Sequence, residues 1–206
     1  MRTRIATDLH DDVGSSLTQI AVLSEVARRN INGSAEAASA PLSRIADLSR
    51  ELVDSMSDIV WSINPQRDHL SDLAYRMRRF AGDVFTARDI DFDFTAPEPG
   101  DDIALPAEVR RQIFLISKEC VHNAVRHAAC THVEMVFRME RGQIVLRIAD
   151  NGRGFALAEN GQGQGLASIE QRARELGTRL KVSSEPGRGT VVELRVPLKR
   201  RIHLNR

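Results

Sequence analysis

Two adjacent residues near the start of the sequence, His10 and Asp11, have the types that nucleophilic phosphate chemistry needs. They lie in a segment with apolar residues at every third or fourth position, which predicts an amphipathic helix. At roughly 100° per residue, His10 falls about 90° from the centre of the apolar stripe, so its ring is predicted to face solvent. If Asp11 accepts a hydrogen bond from one ring nitrogen, the other nitrogen carries the lone pair and can attack. The simpler alternative is a solvated surface pair.

A second set of polar residues shares one face of a helix predicted over 107–128. Glu119, Asn123 and then Arg126 or His127 occur at steps of three and four residues. Mg²⁺ prefers oxygen ligands and substrate phosphates, which makes the amide oxygen of Asn123 a candidate ligand. Arg126 or His127 is then a candidate partner for phosphate charge. A merely solvated polar face is the alternative for this helix.

Asp150 closes a predicted strand and is followed closely by Gly152 and Gly154. An acid at this position can accept a hydrogen bond from an exocyclic amine, as adenine presents, and the glycines let the backbone approach a ligand. Thr190 enters the last predicted strand and adds a hydroxyl that could lie beside the acid. A plain turn of Asp, Asn and Gly is the alternative.

Another glycine-rich stretch opens directly into a predicted helix. Gly163 and Gly165 precede Leu166, where the helical periodicity begins. Free backbone amides and the helix dipole favour phosphate at such a helix start. The stretch is not a Walker loop, since no Gly-Lys-Ser/Thr follows. It is not a dinucleotide fingerprint either, since its spacing differs and no strand immediately precedes it.

The N-terminal part of the chain is predicted to be a helical hairpin. Apolar periodicity predicts a helix over 2–32, a connector over 33–40, and a second helix from Pro41 to the pair Asn64-Pro65. Such a hairpin has too little core of its own. We therefore predict a homodimer in which two hairpins form a four-helix bundle.

The rest of the chain mixes helices and strands. Helices are predicted over 70–87, 107–128 and 166–176, and strands over 89–94, 132–139, 144–148, 180–184 and 190–196. The order of elements predicts an α+β chain. A helical hairpin domain over 1–65 is followed by an α/β sandwich domain over 66–206, with helices on one face of a sheet.

Composition excludes several classes of protein. The 206 residues include 29 basic and 28 acidic side chains, so the net charge of +1 gives no footprint for nucleic acid or a membrane surface as main partner. Two cysteines match no disulfide or metal pattern, which favours a reducing cytosol. No apolar run approaches the roughly 20 residues that span a bilayer. We expect a cytoplasmic piece of a longer protein, anchored in the inner membrane, whose sensor domain lies outside this chain.

Taken in order, these motifs resemble the core of sensor histidine kinases, in the branch with a His-Asp phosphoacceptor box typified by nitrate and lipid-fluidity sensors. The resemblance covers nearly the whole chain and rests on His10-Asp11, on Glu119 to Asn123, on the glycine motifs over 150–154 and 163–166, and on Gly187 to Thr190. It implies a dimerisation and phosphotransfer hairpin, followed by an ATP-binding domain of the family shared with gyrase, Hsp90 and MutL.

The resemblance also implies roles for single residues. His10 would be the phosphoacceptor and Asp11 its base. Glu119 would be the acid of the asparagine box, and Asn123 would be the Mg²⁺ ligand. Ser15 stands where the family often has a Gln that positions water, so the resemblance does not extend to phosphatase activity.

At the nucleotide, Asp150 would recognise adenine with Thr190 beside it. Four glycines would shape the pocket and its lid: Gly152, Gly154, Gly163 and Gly165. The implied function is Mg-ATP-dependent autophosphorylation of His10 and transfer to an aspartate of a response-regulator receiver domain. Two alternatives stay open, namely a serine kinase or ATPase of the same nucleotide-binding family and a dimerising scaffold that binds ATP without transfer.

Overall fold

A computed structural model describes residue 14 and residues 17–29, 35–63, 68–156 and 164–198 of the chain. The chain divides into two compact units, Met1–Asn64 and Pro65–Arg206. The predicted order of a helical region followed by an α/β sheet region is confirmed. No helix within these ranges has the length and apolar character that crossing a membrane requires.

The described part of the helical unit contains two helices, α1 over residues 17–29 and α2 over Ala35–Ile63. Ala27 of α1 and Leu48 of α2 are buried, as is Trp61 near the end of α2. Each helix therefore has at least one buried apolar position. Trp61 is a packing residue.

The start of α2 differs from the prediction. The stretch over 35–40 is helical and is not a connector, and Pro41 lies inside the helix rather than in its first turn. Alanine has the highest helix propensity, and most of the residues between Ala35 and Pro41 are alanine. A proline inside a helix loses one backbone hydrogen bond to the preceding turn. The alanine-rich stretch is helical in spite of that cost.

The α/β unit holds one sheet and the helices that cover it. Its described elements are α3 (Leu70–Thr86), β1 (Asp91–Thr95), a 3₁₀ turn (Pro99–Asp101), α4 (Ala107–Asn123), β2 (His132–Glu140), β3 (Gln143–Asp150), α5 (Gln164–Glu175), β4 (Leu180–Ser184) and β5 (Thr190–Pro197). The strand order is β1-β2-β3-β5-β4. The first pair is parallel and the other pairs are antiparallel.

The core lies between the three helices and one face of this sheet. Its buried strand residues alternate along the chain and pair across strands, so they share that face: Val133, Met135, Phe137, Ile144, Leu146, Ile148, Val192, Leu194 and Val196. The other face carries charged pairs such as Arg195 and Glu193, at 2.8 Å. Asp150 pairs with Thr190, and it continues the alternation of the inward-facing residues on β3, two positions after Ile148. Both side chains therefore lie at the end of the inward face.

The helix predicted over 107–128 changes type before its end. It is an α-helix through Asn123, and Ala124–Ala128 form a π-turn. The next residue, Ala129, has a left-handed backbone with φ of 50°. A π-turn holds more residues than an α-turn and is frequent at functional sites. Beyond Asn123, a spacing of three or four residues therefore no longer predicts that side chains share one face of the helix.

Candidate active site

A cavity of about 760 Å³ is lined by residues of α4, the π-turn, the end of β3 and the segment after it, and the starts of α5 and β5. Most of the residues singled out in the sequence line it: Glu119, Asn123, Arg126, His127, Asp150, Gly154, Gly165, Leu166 and Thr190. Gly152 is buried against Ala128 beside this wall. Three other candidates, His10, Asp11 and Gly163, lie outside the described residues, as does Ser15.

Asp150 is the last residue of β3 and presents a partly buried carboxylate to the cavity. One of its oxygens accepts a hydrogen bond from the backbone N–H of Gly152 at 2.9 Å. The backbone N–H of Thr190 also donates to it. Burial outweighs both bonds and raises the pKa of Asp150 above its ordinary value of 3.8. The remaining lone pairs make Asp150 an acceptor for a donor group inside the cavity.

Two glycines allow the backbone around Asp150 to pack closely. A Cβ on Gly152 would collide with the carbonyl oxygen of Ala128, at the end of the π-turn. Gly189 has a φ of 73°, and a Cβ there would collide with the carbonyl oxygen of Asp150. The turn before β5 therefore lies directly against the end of β3.

Asn151 follows Asp150, and the sequence pattern does not indicate its role. Its side-chain oxygen accepts hydrogen bonds from the backbone N–H groups of Thr131 and His132, both at 3.0 Å. Its amide nitrogen donates to the Thr131 hydroxyl at 2.9 Å. Asn151 therefore joins the end of β3 to the segment that leads into β2.

The π-turn brings both Arg126 and His127 to the cavity wall. The helical spacing by itself indicates only one or the other. Arg153 holds this turn in place. Its Nε donates to the His127 carbonyl at 2.7 Å, and its backbone N–H donates to the Ala128 carbonyl at 2.7 Å. Two basic side chains thus face the cavity from one short, fixed segment.

Glu119 and Asn123 lie one turn apart on α4, and Gly165 of α5 packs against both. A Cβ on Gly165 would collide with Oε1 of Glu119 and lie 3.4 Å from the amide oxygen and nitrogen of Asn123. A carboxylate and an amide oxygen are the donor types that Mg²⁺ prefers. Within the described ranges, no group of three His, Cys, Asp or Glu could hold a metal ion alone. A Mg²⁺ ion held by these two donors would keep further positions for other oxygen ligands.

Many of the other side chains on the cavity wall are apolar, among them Cys120, Ala124, Ile148, Ile169 and Val192. Burial, reinforced by the nearby carboxylates of Glu119 and Asp150, raises the pKa of the Cys120 thiol to about 12. The thiol therefore stays protonated and serves as an apolar wall. Such walls with the Asp150 carboxylate among them suit a flat, apolar ring that carries a hydrogen-bond donor.

One polar residue beside this carboxylate is not among the candidates that the sequence indicates. Ser184 ends β4 and pairs with Thr190, which in turn pairs with Asp150, so the three side chains form one row across the sheet. The Ser184 and Thr190 hydroxyl oxygens are 2.9 Å apart. The short turn between the two predicted strands could have indicated this pairing, since the register of a hairpin follows from its turn.

Comparison with known protein families decides what kind of chain this is. Residues 2–68 match the family described as "Histidine kinase". Residues 108–200 match the family described as "Histidine kinase-, DNA gyrase B-, and HSP90-like ATPase". The chain is homologous to sensor histidine kinases. The cavity described above is lined by residues of the second matched region, and that match supports the use of ATP.

Individual relatives are similar in sequence or in fold. Sensor histidine kinase LiaS of Bacillus subtilis is 24% identical over 198 residues, which are 96% of this chain and 54% of LiaS. Sensor protein VraS of Staphylococcus haemolyticus is 34% identical over 100 residues, 48% of this chain and 29% of VraS. The histidine kinase domain of a blue-light activated kinase from Erythrobacter litoralis EL346 shares the fold, with a TM-score of 0.54, 19% identity and 94% coverage of both chains. The histidine kinase core thus spans about half, or less, of these two sensor kinases.

Proposed function

We propose that this chain is the catalytic core of a two-component sensor histidine kinase. In this proposal the domain over 66–206 binds Mg-ATP, and His10, in the domain over 1–65, accepts the γ-phosphoryl group. The observation that supports it best is the composition of one cavity. Asp150, an acceptor set among apolar walls, lines the same cavity as Glu119 and Asn123, which suit a metal-bound phosphate.

The base is proposed to bind at Asp150. Adenine has apolar faces and an exocyclic amine at its edge, which match the apolar walls and the carboxylate acceptor. The carboxylate is oriented before any ligand arrives, because Gly152 and Thr190 donate their backbone N–H groups to it. Such preorganisation lowers the entropy cost of binding.

The phosphates are proposed to bind at the polar residues of α4 and the π-turn. Arg126 and His127 are exposed and supply positive charge or hydrogen-bond donors to phosphate oxygens. Asn123 would hold Mg²⁺ through its amide oxygen, and Glu119 would orient the reacting end through its carboxylate. When bound, the ion neutralises charge on the phosphates, which is the main need of phosphoryl transfer.

The acceptor is proposed from the sequence, because His10 and Asp11 lie outside the described residues. One ring nitrogen of His10 forms a bond to the γ-phosphorus, while the bond from that phosphorus to the β–γ bridging oxygen breaks and ADP leaves. Asp11 accepts the hydrogen bond of the other ring nitrogen and stabilises the imidazolium as it forms. The phosphoryl group then passes to an aspartate of a response-regulator receiver domain.

A homodimer is proposed through the helical unit. Several large apolar side chains of α1 and α2 are exposed: Leu17, Val22, Val26, Leu42, Val53 and Met56. Packing against a second copy would remove this surface from water and complete a four-helix bundle. The sensor region and a membrane anchor of the full-length protein are proposed to lie outside this chain.

The test of the proposed function is labelling of the chain by γ-labelled ATP in the presence of Mg²⁺. We expect a label that is lost in acid and stable in alkali, because a phosphorylated imidazole has that stability. An acid-stable label would contradict the proposal and favour a serine kinase. ATP binding without any label would also contradict it and favour a dimerising scaffold.

Gly165→Ala is expected to slow autophosphorylation by about 10²-fold, the usual effect of misplacing a group at the reacting centre by about 1 Å. The new Cβ would displace the Glu119 carboxylate and crowd the Asn123 amide. The fold should survive, because alanine suits a helix and the end of the Glu119 side chain can move. Single-turnover labelling and thermal unfolding measure the two effects separately.

Gly82→Ala is the matched control for this variant. Gly82 lies within α3, and a Cβ there would have no neighbouring heavy atom within 4 Å. We expect an unchanged labelling rate and a slight gain in stability. A Gly165→Ala chain that is folded and labelled at the wild-type rate would show that Glu119 and Asn123 do not act from their positions beside α5.

A further inference from the structure

We propose that Ser184 is a positioning residue that makes the Thr190 hydroxyl a pure hydrogen-bond acceptor. Through Thr190 it sets the preference of the cavity for a purine with an exocyclic amine over one with a ring carbonyl. This inference rests on the proposed function, in which the base binds beside Asp150. Ser184 itself does not line the cavity and acts only through its neighbour.

Ser184 is placed by the sheet register and shielded from water. It pairs with Thr190 and through it stands in one row with Asp150. Only 9% of its surface is exposed. Little water therefore competes for hydrogen bonds with its hydroxyl, and the protein groups around it determine which bonds form.

Three groups surround the Ser184 hydroxyl oxygen at hydrogen-bond distance. The backbone N–H of Phe155 donates to it at 3.0 Å. The hydroxyl donates to the carbonyl oxygen of Gly189 at 3.0 Å. The Thr190 hydroxyl oxygen lies 2.9 Å away, where either partner could donate. A serine hydroxyl has one proton and two lone pairs, so three bonds use its whole capacity.

The proton count decides the direction of the third bond. An N–H can only donate and a carbonyl oxygen can only accept, so the single proton of Ser184 goes to Gly189 and one lone pair is taken by Phe155. The second lone pair must then accept the proton of Thr190. With its proton turned away, Thr190 presents only lone pairs to the cavity that it lines.

Asp150 and Thr190 therefore form an acceptor-only row at the base end of the cavity. Such a row satisfies the N–H groups of an exocyclic amine. A ring carbonyl at the same place would put its oxygen against the oxygens of Asp150 and Thr190, so that these buried acceptors would have no donor. Sites built to form a hydrogen bond strongly reject a ligand that cannot form it. If Ser184 were absent, the Thr190 proton could turn toward the cavity and donate to such a carbonyl.

The same hydroxyl also joins three segments of the chain, and this structural role must be separated from the proposed one. Gly154, next to Phe155, packs so closely on the turn before β5 that a Cβ would collide with the Glu185 carbonyl oxygen. Loss of Ser184 could thus loosen the loop without changing base preference. The ratio of the affinities for two bases separates these effects, because a loosened loop would weaken the affinities for both bases by the same factor.

The experiment compares dissociation constants of ADP and inosine diphosphate, whose base has a carbonyl in place of the amine, for the whole chain with Mg²⁺. For Ser184→Ala we expect the preference for ADP to fall by about tenfold, the size of one hydrogen bond gained or lost. Ser184→Thr keeps the hydroxyl and a strand-compatible shape, so it should restore the preference. Ser184→Cys keeps the size but bonds weakly, and it gives the answer if Ser184→Ala fails to fold.

Ser183→Ala is the matched control. Ser183 is the neighbour on β4, is exposed and pairs with Val191 on the other face of the sheet, so the preference should not change. A wild-type preference in folded Ser184→Ala and Ser184→Cys chains would overturn this inference, and so would an equal loss of both affinities. A wild-type chain that binds neither nucleotide would instead overturn the proposed function, and this inference with it.

Discussion

His10→Gln is expected to abolish labelling of the chain by γ-labelled ATP, while ADP binding is retained. A glutamine side chain has nearly the length of histidine and stays polar, but its amide nitrogen has no lone pair available for attack. Binding should survive because the proposed nucleotide residues all belong to the α/β unit. Acid-labile label and the dissociation constant of ADP, measured on the same preparation, check both parts.

His132→Gln is the control for the loss of a histidine. His132 begins β2, and its ring pairs with Asp93 at 3.6 Å on a partly exposed surface. The cavity wall does not include it. We expect this variant to be labelled like the wild type. Acid-labile label that persists in His10→Gln would show that another side chain is the acceptor.

Asp150→Asn is expected to weaken ADP binding by about tenfold to hundredfold, the range for losing a hydrogen bond to a charged group. The variant keeps the shape of the side chain and one oxygen to accept the N–H of Gly152. However, its amide nitrogen brings a donor to a place where the adenine amine also donates. Equilibrium binding of ADP in Mg²⁺ measures the loss.

The same variant should unfold at a higher temperature than the wild type at neutral pH. Burial raises the pKa of Asp150, so the folded protein holds this proton more tightly than the unfolded chain does. The wild-type fold therefore loses stability as the pH rises from the ordinary value of 3.8 through the raised folded pKa. Asparagine cannot ionise, so the difference in Tm between the variant and the wild type should grow over that pH range.

Asp91→Asn is the control, since Asp91 is an exposed carboxylate on β1. It should change neither ADP binding nor the pH dependence of Tm. Full ADP affinity in Asp150→Asn would show that the carboxylate does not contact the base. A fall in Tm of Asp150→Asn at neutral pH would show that its hydrogen bonds outweigh the cost of its buried charge.

Much of the architecture is readable from local patterns. β4 has the predicted bounds, Leu180–Ser184, and β3 ends at Asp150 as the site hypothesis required. α2 ends at Ile63, immediately before the Asn64-Pro65 pair. These outcomes depend on alternation, helical periodicity and proline chemistry within a few residues. The sequence alone therefore determined the order of elements, the kind of domain, and most of the polar residues that line the cavity.

Other features depend on contacts between distant parts of the chain. The π-turn at Ala124–Ala128 brings Arg126 and His127 to the same cavity wall. It is held by Arg153, which follows it in the sequence only after β2 and β3. Helical spacing, which assumes a regular α-helix, cannot foresee it. The alanine-rich start of α2 is the opposite case, because there the local helix propensity of alanine outweighs the cost of a single proline inside the helix.

The row of Asp150, Thr190 and Ser184 was decided only by the tertiary structure. These residues are far apart in sequence, and their order across the sheet depends on the pairing of β3, β5 and β4. Likewise, the contact of Gly165 with Glu119 depends on how α5 packs on α4. Motif spacing names the residue types that chemistry needs. Strand register and helix packing decide which of them meet, because hydrogen bonds form only within about 3 Å.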